Sequence, residues 1–182
     1  ILTYAADRIT GLEHARVLGS GTILDSARFR HALSTHTRVD ARNIHAYVIG
    51  EHGDSAVPLW SLATAAGMHI DDCCRRLKIP VPDKESVNTF IREAARRIIE
   101  RKGATYYAIG LGVRRICEAI LHDQNSVLTV SGCLSGHYGF CETALSLPTV
   151  IGRSGRVNVL ELPLSASEEA ALTQSAAVLK AA

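Results

Sequence analysis

The sequence lacks the signatures of several large protein classes. It has no apolar run long enough to cross a bilayer, no C-x-x-C pair of cysteines and no G-x-G-x-x-G fingerprint. Aromatic residues make up only 5% of the 182 positions, and the 20 basic residues are scattered among 18 acidic ones. We therefore expect no membrane, no metal and no nucleic acid among its partners, while a hydrophobic content of 47% indicates a globular domain.

The five cysteines do not form a recognisable framework. Cys73 and Cys74 are adjacent, whereas Cys117, Cys133 and Cys141 are spread along the second half of the chain. This spacing fits neither a zinc knuckle nor a set of disulfides. We therefore expect reduced thiols, which are typical of a cytoplasmic protein.

The first residues have the pattern of an interior segment. The chain starts with Ile1 rather than methionine, and the segment 1–6 (ILTYAA) has a helix-like apolar pattern with no capping residue before it. We expect a further segment to precede this chain, and any nucleotide-binding fingerprint would lie there.

Hydrophobic patterns predict one α+β domain over 1–182, because strands and long helices do not alternate regularly. Val87, Ile91 and Ala95 begin the stripe of a long amphipathic helix, and Ser165-x-x-Glu168 is a capping box before the last helix. The predicted helices cover 1–10, 24–35, 59–66, 87–99, 109–120 and the segment after Ser165, and the predicted strands cover 17–22, 43–50, 126–131, 143–151 and 156–162.

One predicted helix carries charged side chains toward two sides. Asp25 and Arg28 share a face, since residues three apart on a helix lie close together, and Arg30 points to roughly the opposite face. His52 follows a strand in a loop beside Gly53, where a ligand has room to approach. An imidazole braced by a carboxylate can transfer a proton near neutral pH, and an arginine can bind a carboxylate by two hydrogen bonds.

Three segments carry a resemblance to a known family: 24–30 (LDSARFR), 50–55 (GEHGDS) and 102–107 (KGATYY). Together they resemble the catalytic domain of the lactate/malate dehydrogenase family, and in particular its L-lactate dehydrogenases. The resemblance covers essentially the whole chain, and the first two motifs are specific as a pair. It implies twisted antiparallel strands packed against long helices, with a Rossmann coenzyme domain that lies before residue 1.

The resemblance also implies an activity, the reversible reduction of pyruvate to L-lactate with NAD as the cofactor. His52 would donate or accept the proton, Asp25 would orient His52, and Arg28 would bind the carboxylate of the 2-oxo acid. Simpler interpretations are a favourable charge near a helix N-terminus for Asp25 and a surface ion pair for Arg28. Asp54 could compete for His52, but it follows a glycine turn and we interpret it as structural.

Further positions match residues of the family's substrate and cofactor sites. Thr105 matches a threonine of the substrate pocket, and Ser20 and Ile109 match residues beside the nicotinamide. A turn serine and an ordinary core isoleucine are the simpler interpretations of the last two. The family's second arginine and its substrate-selecting loop belong to the preceding segment, so we expect the isolated chain to be inactive.

A second site is implied on the far side of the same helix. In bacterial L-lactate dehydrogenases that fructose 1,6-bisphosphate activates, residues matching Arg30 and His45 bind the sugar phosphates across a subunit interface, and the enzyme is a homotetramer. Seven residues of straight strand span about 23 Å, which keeps His45 away from His52. The alternative is an interface ion pair and a packed strand histidine.

Other functions compete with this interpretation. Within the family, the alternative is an L-malate dehydrogenase of the lactate-like subgroup, against which Thr105 and His45 argue. A non-catalytic assembly domain would have lost the three catalytic residues. A zinc protein would need a H-E-x-x-H or C-x-x-C spacing, and a serine hydrolase would need a G-x-S-x-G motif, neither of which the sequence contains.

Overall fold

Three antiparallel sheets and six α-helices make up residues 1–181, the part of the chain that the computed structural model describes. The helices are α1 (Leu2–Thr10), α2 (Ile23–Thr37), α3 (Ile70–Leu77), α4 (Lys84–Lys102), α5 (Tyr107–Leu121) and α6 (Ala166–Ala181). The strands are β1 (Ile44–His45), β2 (Val48–Ile49), β3 (Val57–Pro58), β4 (Thr64–Ala65), β5 (Met68–His69), β6 (Ser126–Ser135), β7 (Cys141–Gly152) and β8 (Gly155–Val159). The predicted α+β class is confirmed.

Capping residues are found at the ends of the long helices. The Asp83 side chain accepts a hydrogen bond from the backbone N–H of Ser86 at the start of α4, and Gly103 ends that helix at φ +79°. At the start of α6, Ser165 Oγ accepts the backbone N–H of Glu168 over 3.4 Å and Glu168 Oε2 accepts the backbone N–H of Ser165 over 2.9 Å, which confirms the capping box.

The largest sheet, β6-β7-β8, supplies the platform on which two loops are attached. Ser131 of β6 lies opposite Ser146 of β7. Gly19 forms a bridge to Ser131 on one side, and Gly50 forms a bridge to Ser146 on the other. The segment that leads into α2 and the segment that follows β2 are therefore fixed at the same level of the sheet.

Helix α2 is fastened to β2 by side-chain hydroxyls on its buried face. The Thr22 hydroxyl donates to the carbonyl of Val48 over 2.5 Å, and Ser26 Oγ accepts the N–H of Val48 over 2.9 Å. Phe29 and Leu33, on the same face, are fully buried. Because buried backbone groups need partners, these bonds define where the helix crosses the strand.

Three apolar clusters hold the elements together. The first lies between α2, α3 and α4 around Phe29, the second packs Leu172 of α6 against Leu147 of β7, and the third packs Ile116 of α5 against Val130 of β6. Burying such side chains stabilises the fold by about 1.5–3 kcal/mol each relative to leaving them in water.

Several predicted elements differ from the structure. The strand predicted over 43–50 is two short strands in different sheets, because β1 pairs with β4 while β2 pairs with β3. The strand predicted over 17–22 is reduced to the single bridge at Gly19, and the helix predicted over 59–66 is one 3-10 turn, Trp60–Leu62, followed by β4. Within residues 1–181, no helix has both the length and the apolar character needed to cross a bilayer.

Candidate active site

One carboxylate, that of Asp25, holds the side chains of two other predicted site residues. Asp25 Oδ2 accepts a hydrogen bond from His52 Nδ1 over 2.6 Å, and Asp25 Oδ1 accepts one from Arg28 Nη1 over 2.7 Å. The side chain of Asp25 is only 7% exposed and that of Arg28 15%, whereas that of His52 is 54% exposed. A buried carboxylate is costly without partners, and here each oxygen has a cationic or donating one.

The three residues meet because separate long-range contacts position their elements. Asp25 lies in the first turn of α2, directly after the bridge at Gly19, and His52 lies two residues after the bridge at Gly50. Both bridges fall on the same level of the main sheet, and Ser26 ties α2 to β2. The sheet therefore brings the helix and the loop together.

The hydrogen bond from His52 determines how its imidazole can act. A carboxylate only accepts, so Nδ1 carries a proton and Nε2 is the nitrogen left for a substrate. The pKa of His52 is raised, first by the hydrogen bond to Asp25 and by its charge, while partial burial and Arg28 oppose the rise. The interaction thus stabilises the folded chain below the ordinary imidazole pKa, and this contribution is lost as the pH rises through the raised pKa.

The loop around His52 has contacts that the sequence did not reveal. Glu51 adds a negative charge that also raises the pKa of His52. A side chain at Gly53 would meet the Glu51 carboxylate at 2.7 Å, so the space beside Gly53 holds Glu51, whereas the sequence predicted room for a ligand there. Asp54 is exposed, and the partner of the imidazole is Asp25.

Ile109 lies on the side of α5 that approaches the start of α2, and Thr105 lies just before this helix. Both are half-buried. A side chain at Gly112 would lie 3.3 Å from Ile23, and Ile109 shares this face one turn earlier. Thr105 belongs to no helix, because α5 starts at Tyr107 and Thr105 lies in the connection after α4. Within residues 1–181, no hydrogen bond joins Thr105 to Asp25, Arg28 or His52.

Ser20 is half-buried between the bridge at Gly19 and the start of α2. Its carbonyl accepts the backbone N–H of Ile23 over 3.2 Å. The residue therefore lies at the same end of α2 as Ile109, although the two belong to segments far apart in the sequence.

The predicted second site corresponds to a separate cavity of about 410 Å³. Arg30 and His45 both line it, together with Arg42 and Arg115, which the sequence analysis did not single out. Arg30 donates to the carbonyl of Ala46 over 3.3 Å, and burial lowers the pKa of its guanidinium. Arg42 could have been found from its spacing to His45, whereas Arg115 is brought in only by the packing of α5.

No metal centre is evident in the described part of the chain. Among residues 1–181, no three His, Cys, Asp or Glu side chains lie close enough together to bind a metal ion.

Known proteins share this sequence and this fold. The chain is 56% identical over 182 residues to an L-lactate dehydrogenase of Thermoanaerobacter pseudethanolicus, and 52% identical over 183 residues to one of Moorella thermoacetica. Both comparisons cover 99% of this chain but only 58% of the relative. The chain thus spans somewhat more than half the length of these relatives.

Solved structures agree with the sequence relatives. A lactate dehydrogenase from a Medee basin deep-sea metagenome library superimposes with a TM-score of 0.95 at 39% identity, over 99% of this chain and 58% of that one. An L-lactate dehydrogenase from Clostridium thermocellum gives 0.90 at 41% identity, over 100% of this chain and 60% of that one. The family model for the lactate/malate dehydrogenase α/β C-terminal domain matches residues 22–182. With sequence, fold and family model in agreement, the chain belongs to the lactate/malate dehydrogenase family.

Proposed function

We propose that this chain is the substrate-binding and proton-transferring domain of an NAD-dependent L-lactate dehydrogenase. The observation that carries the proposal is the Asp25 carboxylate, which bonds His52 through one oxygen and Arg28 through the other. This arrangement puts a proton donor beside a group that binds anions, and the reduction of a 2-oxo acid needs both. Thr105 and the names of the relatives favour lactate over malate.

Arg28 and His52 have different roles in the proposed reduction of pyruvate. Arg28 uses Nη1 for Asp25 and has four further N–H donors, so it can bind the pyruvate carboxylate through a two-point contact. His52 donates the Nε2 proton to the keto oxygen as negative charge develops there. The ring is half exposed and regains a proton from water. In the reverse direction, neutral His52 accepts the proton of the lactate hydroxyl.

The residues near the start of α2 fit a nicotinamide. Ile109 offers a half-buried apolar surface, and Ser20 offers a hydroxyl for a polar amide. Bound NADH would supply the hydride for the keto carbon. We expect the coenzyme domain in a segment that precedes Ile1, which agrees with the greater length of the relatives, and we expect the chain 1–182 alone to be inactive.

Substrate preference in the complete polypeptide tests the proposal. We expect NADH to be oxidised with pyruvate at a higher kcat/KM than with oxaloacetate, followed by the loss of NADH absorbance. Chain 1–182 alone is the control and should show no turnover. A preference for oxaloacetate would indicate the malate enzyme, and no turnover with either acid would contradict a dehydrogenase.

We propose that the complete enzyme is a cytoplasmic homotetramer. The support is a set of apolar side chains on α1 and α5 that stay in contact with water, with Leu2 86%, Ile9 82% and Leu111 64% exposed. Burying such surface against another domain or subunit is favourable.

We also propose that the cavity of Arg30 and His45 binds fructose 1,6-bisphosphate as an activator. The support is chemical: three guanidinium groups and an imidazole line one cavity, and such groups bind phosphate well. Helix α2 would connect this cavity to the active site, since Arg30 lies only two residues beyond Arg28 on the same helix.

Removing Arg30 and His45, two of the four basic groups of the cavity, should abolish activation. In the complete enzyme, Arg30→Gln with His45→Gln should remove the effect of fructose 1,6-bisphosphate on the KM for pyruvate, while turnover at saturating pyruvate stays close to the parent value. The matched control is Arg101→Gln, which changes an exposed arginine on α4. Activation that survives in the double variant would refute the site.

A further inference from the structure

The loop that carries His52 is attached to the last helix by a single buried hydroxyl. Ser175 of α6 is fully buried, and its Oγ accepts the backbone N–H of Glu51 over 2.8 Å. Ser175 Oγ also lies 3.1 Å from Ser55 Oγ. A residue from the C-terminal helix therefore contacts the loop on both sides of His52.

These contacts form a closed ring of hydrogen bonds. The Ser55 hydroxyl donates to the Glu51 carboxylate, which can only accept. Ser55 Oγ also donates toward Ser175 Oγ, so its single proton is shared between the carboxylate and the Ser175 hydroxyl. The ring runs from the Glu51 N–H through Ser175 and Ser55 back to the Glu51 side chain. Ser175 Oγ thus accepts from both the Glu51 N–H and the Ser55 hydroxyl, and it links the backbone of Glu51 to the residue that binds the Glu51 side chain.

The backbone of the loop is also pressed against Ser175. A side chain at Gly50 would lie 2.6 Å from Ser175 Oγ, and Gly50 has a φ of +89°. Leu172 and Ala176, which flank Ser175 on α6, are buried against β7. The hydroxyl is therefore presented by a rigid, well-packed element, and the loop has little freedom to shift along it.

We propose that Ser175 is a positioning residue that holds the His52 imidazole against Asp25. Asp25 approaches His52 from α2, whereas Ser175 holds the neighbouring Glu51 from α6. Removing the hydroxyl leaves the Glu51 N–H without its acceptor and opens the ring, so the loop can relax away from α2. The catalytic consequence rests on the proposed dehydrogenase function, but the effect on the imidazole does not.

Histidine titration by NMR in chain 1–182 tests this directly. The His52 signal is assigned by its absence in His52→Gln, and Asp25→Asn measures the full effect of losing the carboxylate. We expect Ser175→Ala to lower the titration midpoint of His52 in the same direction as Asp25→Asn but by less, because the Asp25 bond is the main cause of the raised pKa and is weakened rather than removed. The control Ser167→Ala makes the same change at an exposed position of α6 and should leave the midpoint unchanged.

Other outcomes separate positioning from simple stabilisation. A lower melting temperature of Ser175→Ala with an unchanged His52 midpoint would overturn the proposal. If Ser175→Ala does not fold, Ser175→Cys fills the same space with a weaker hydrogen-bond acceptor, and an unchanged midpoint there would overturn the proposal equally. In the complete enzyme, Ser175→Ala should lower kcat by up to about 100-fold with a smaller change in KM. A complete protein without lactate dehydrogenase activity would contradict the proposed function and leave the titration result standing.

Discussion

Replacing His52 with glutamine in the complete enzyme should lower kcat for pyruvate reduction by about 10²–10⁴-fold, the usual contribution of a positioned proton donor. Glutamine keeps a polar side chain of similar reach but cannot transfer a proton near neutral pH. Steady-state kinetics give kcat, and quenching of NADH fluorescence gives the Kd of the cofactor. We expect the Kd of NADH to stay close to the parent value, because His52 bonds Asp25 and its proposed contact is with the substrate, not with the cofactor.

A second histidine and the pH profile provide the controls for this result. His31→Gln changes an exposed histidine on α2 and should leave kcat unchanged. Reduction needs the protonated ring, so the parent rate should fall as the pH rises through the raised pKa of His52. In Asp25→Asn this fall in rate should occur at lower pH, because the carboxylate that raises the pKa of His52 is gone. Full turnover in His52→Gln would end the proposed mechanism.

Replacing Arg28 with lysine should lower kcat/KM for pyruvate by about 10- to 100-fold, which corresponds to the loss of one charge-assisted hydrogen bond worth about 1.5–3 kcal/mol. Lysine keeps the positive charge but cannot form the planar two-point contact with a carboxylate. The effect should appear mainly in KM, since the carboxylate is bound in both the ground state and the transition state.

The matched control for Arg28 is Arg38→Lys at the exposed end of the same helix. It should leave kcat/KM unchanged. An unchanged kcat/KM in Arg28→Lys would show that the guanidinium does not bind the substrate. The titration midpoint of His52 in chain 1–182 of this variant would then show whether Arg28 acts only through Asp25.

The parts of the fold that the sequence predicted are those with local signals. The stripe of α4 and the capping box at Ser165 are determined by residues within a few turns of each other, and both are confirmed. The predicted helices do not include α3, although Ile70, Cys73, Cys74 and Leu77 have helical spacing and the two cysteines serve as buried apolar residues. The signal was present in the sequence.

Distant contacts set the limits of prediction. The break between β1 and β2 depends on which strands they pair with, and those partners are chosen by the tertiary fold. For the candidate site, spacing predicted that Asp25 and Arg28 share a face, whereas the pairing of Asp25 with His52 came from the family resemblance. Ser175 could not be found, since nothing in the sequence connects it with Glu51 across 124 positions.

The shared carboxylate of Asp25 makes proton uptake and anion capture interdependent. Arg28 lowers the pKa of His52, so an anion that neutralises Arg28 also makes the imidazole more basic. By thermodynamic reciprocity, a protonated ring then retains that anion more tightly.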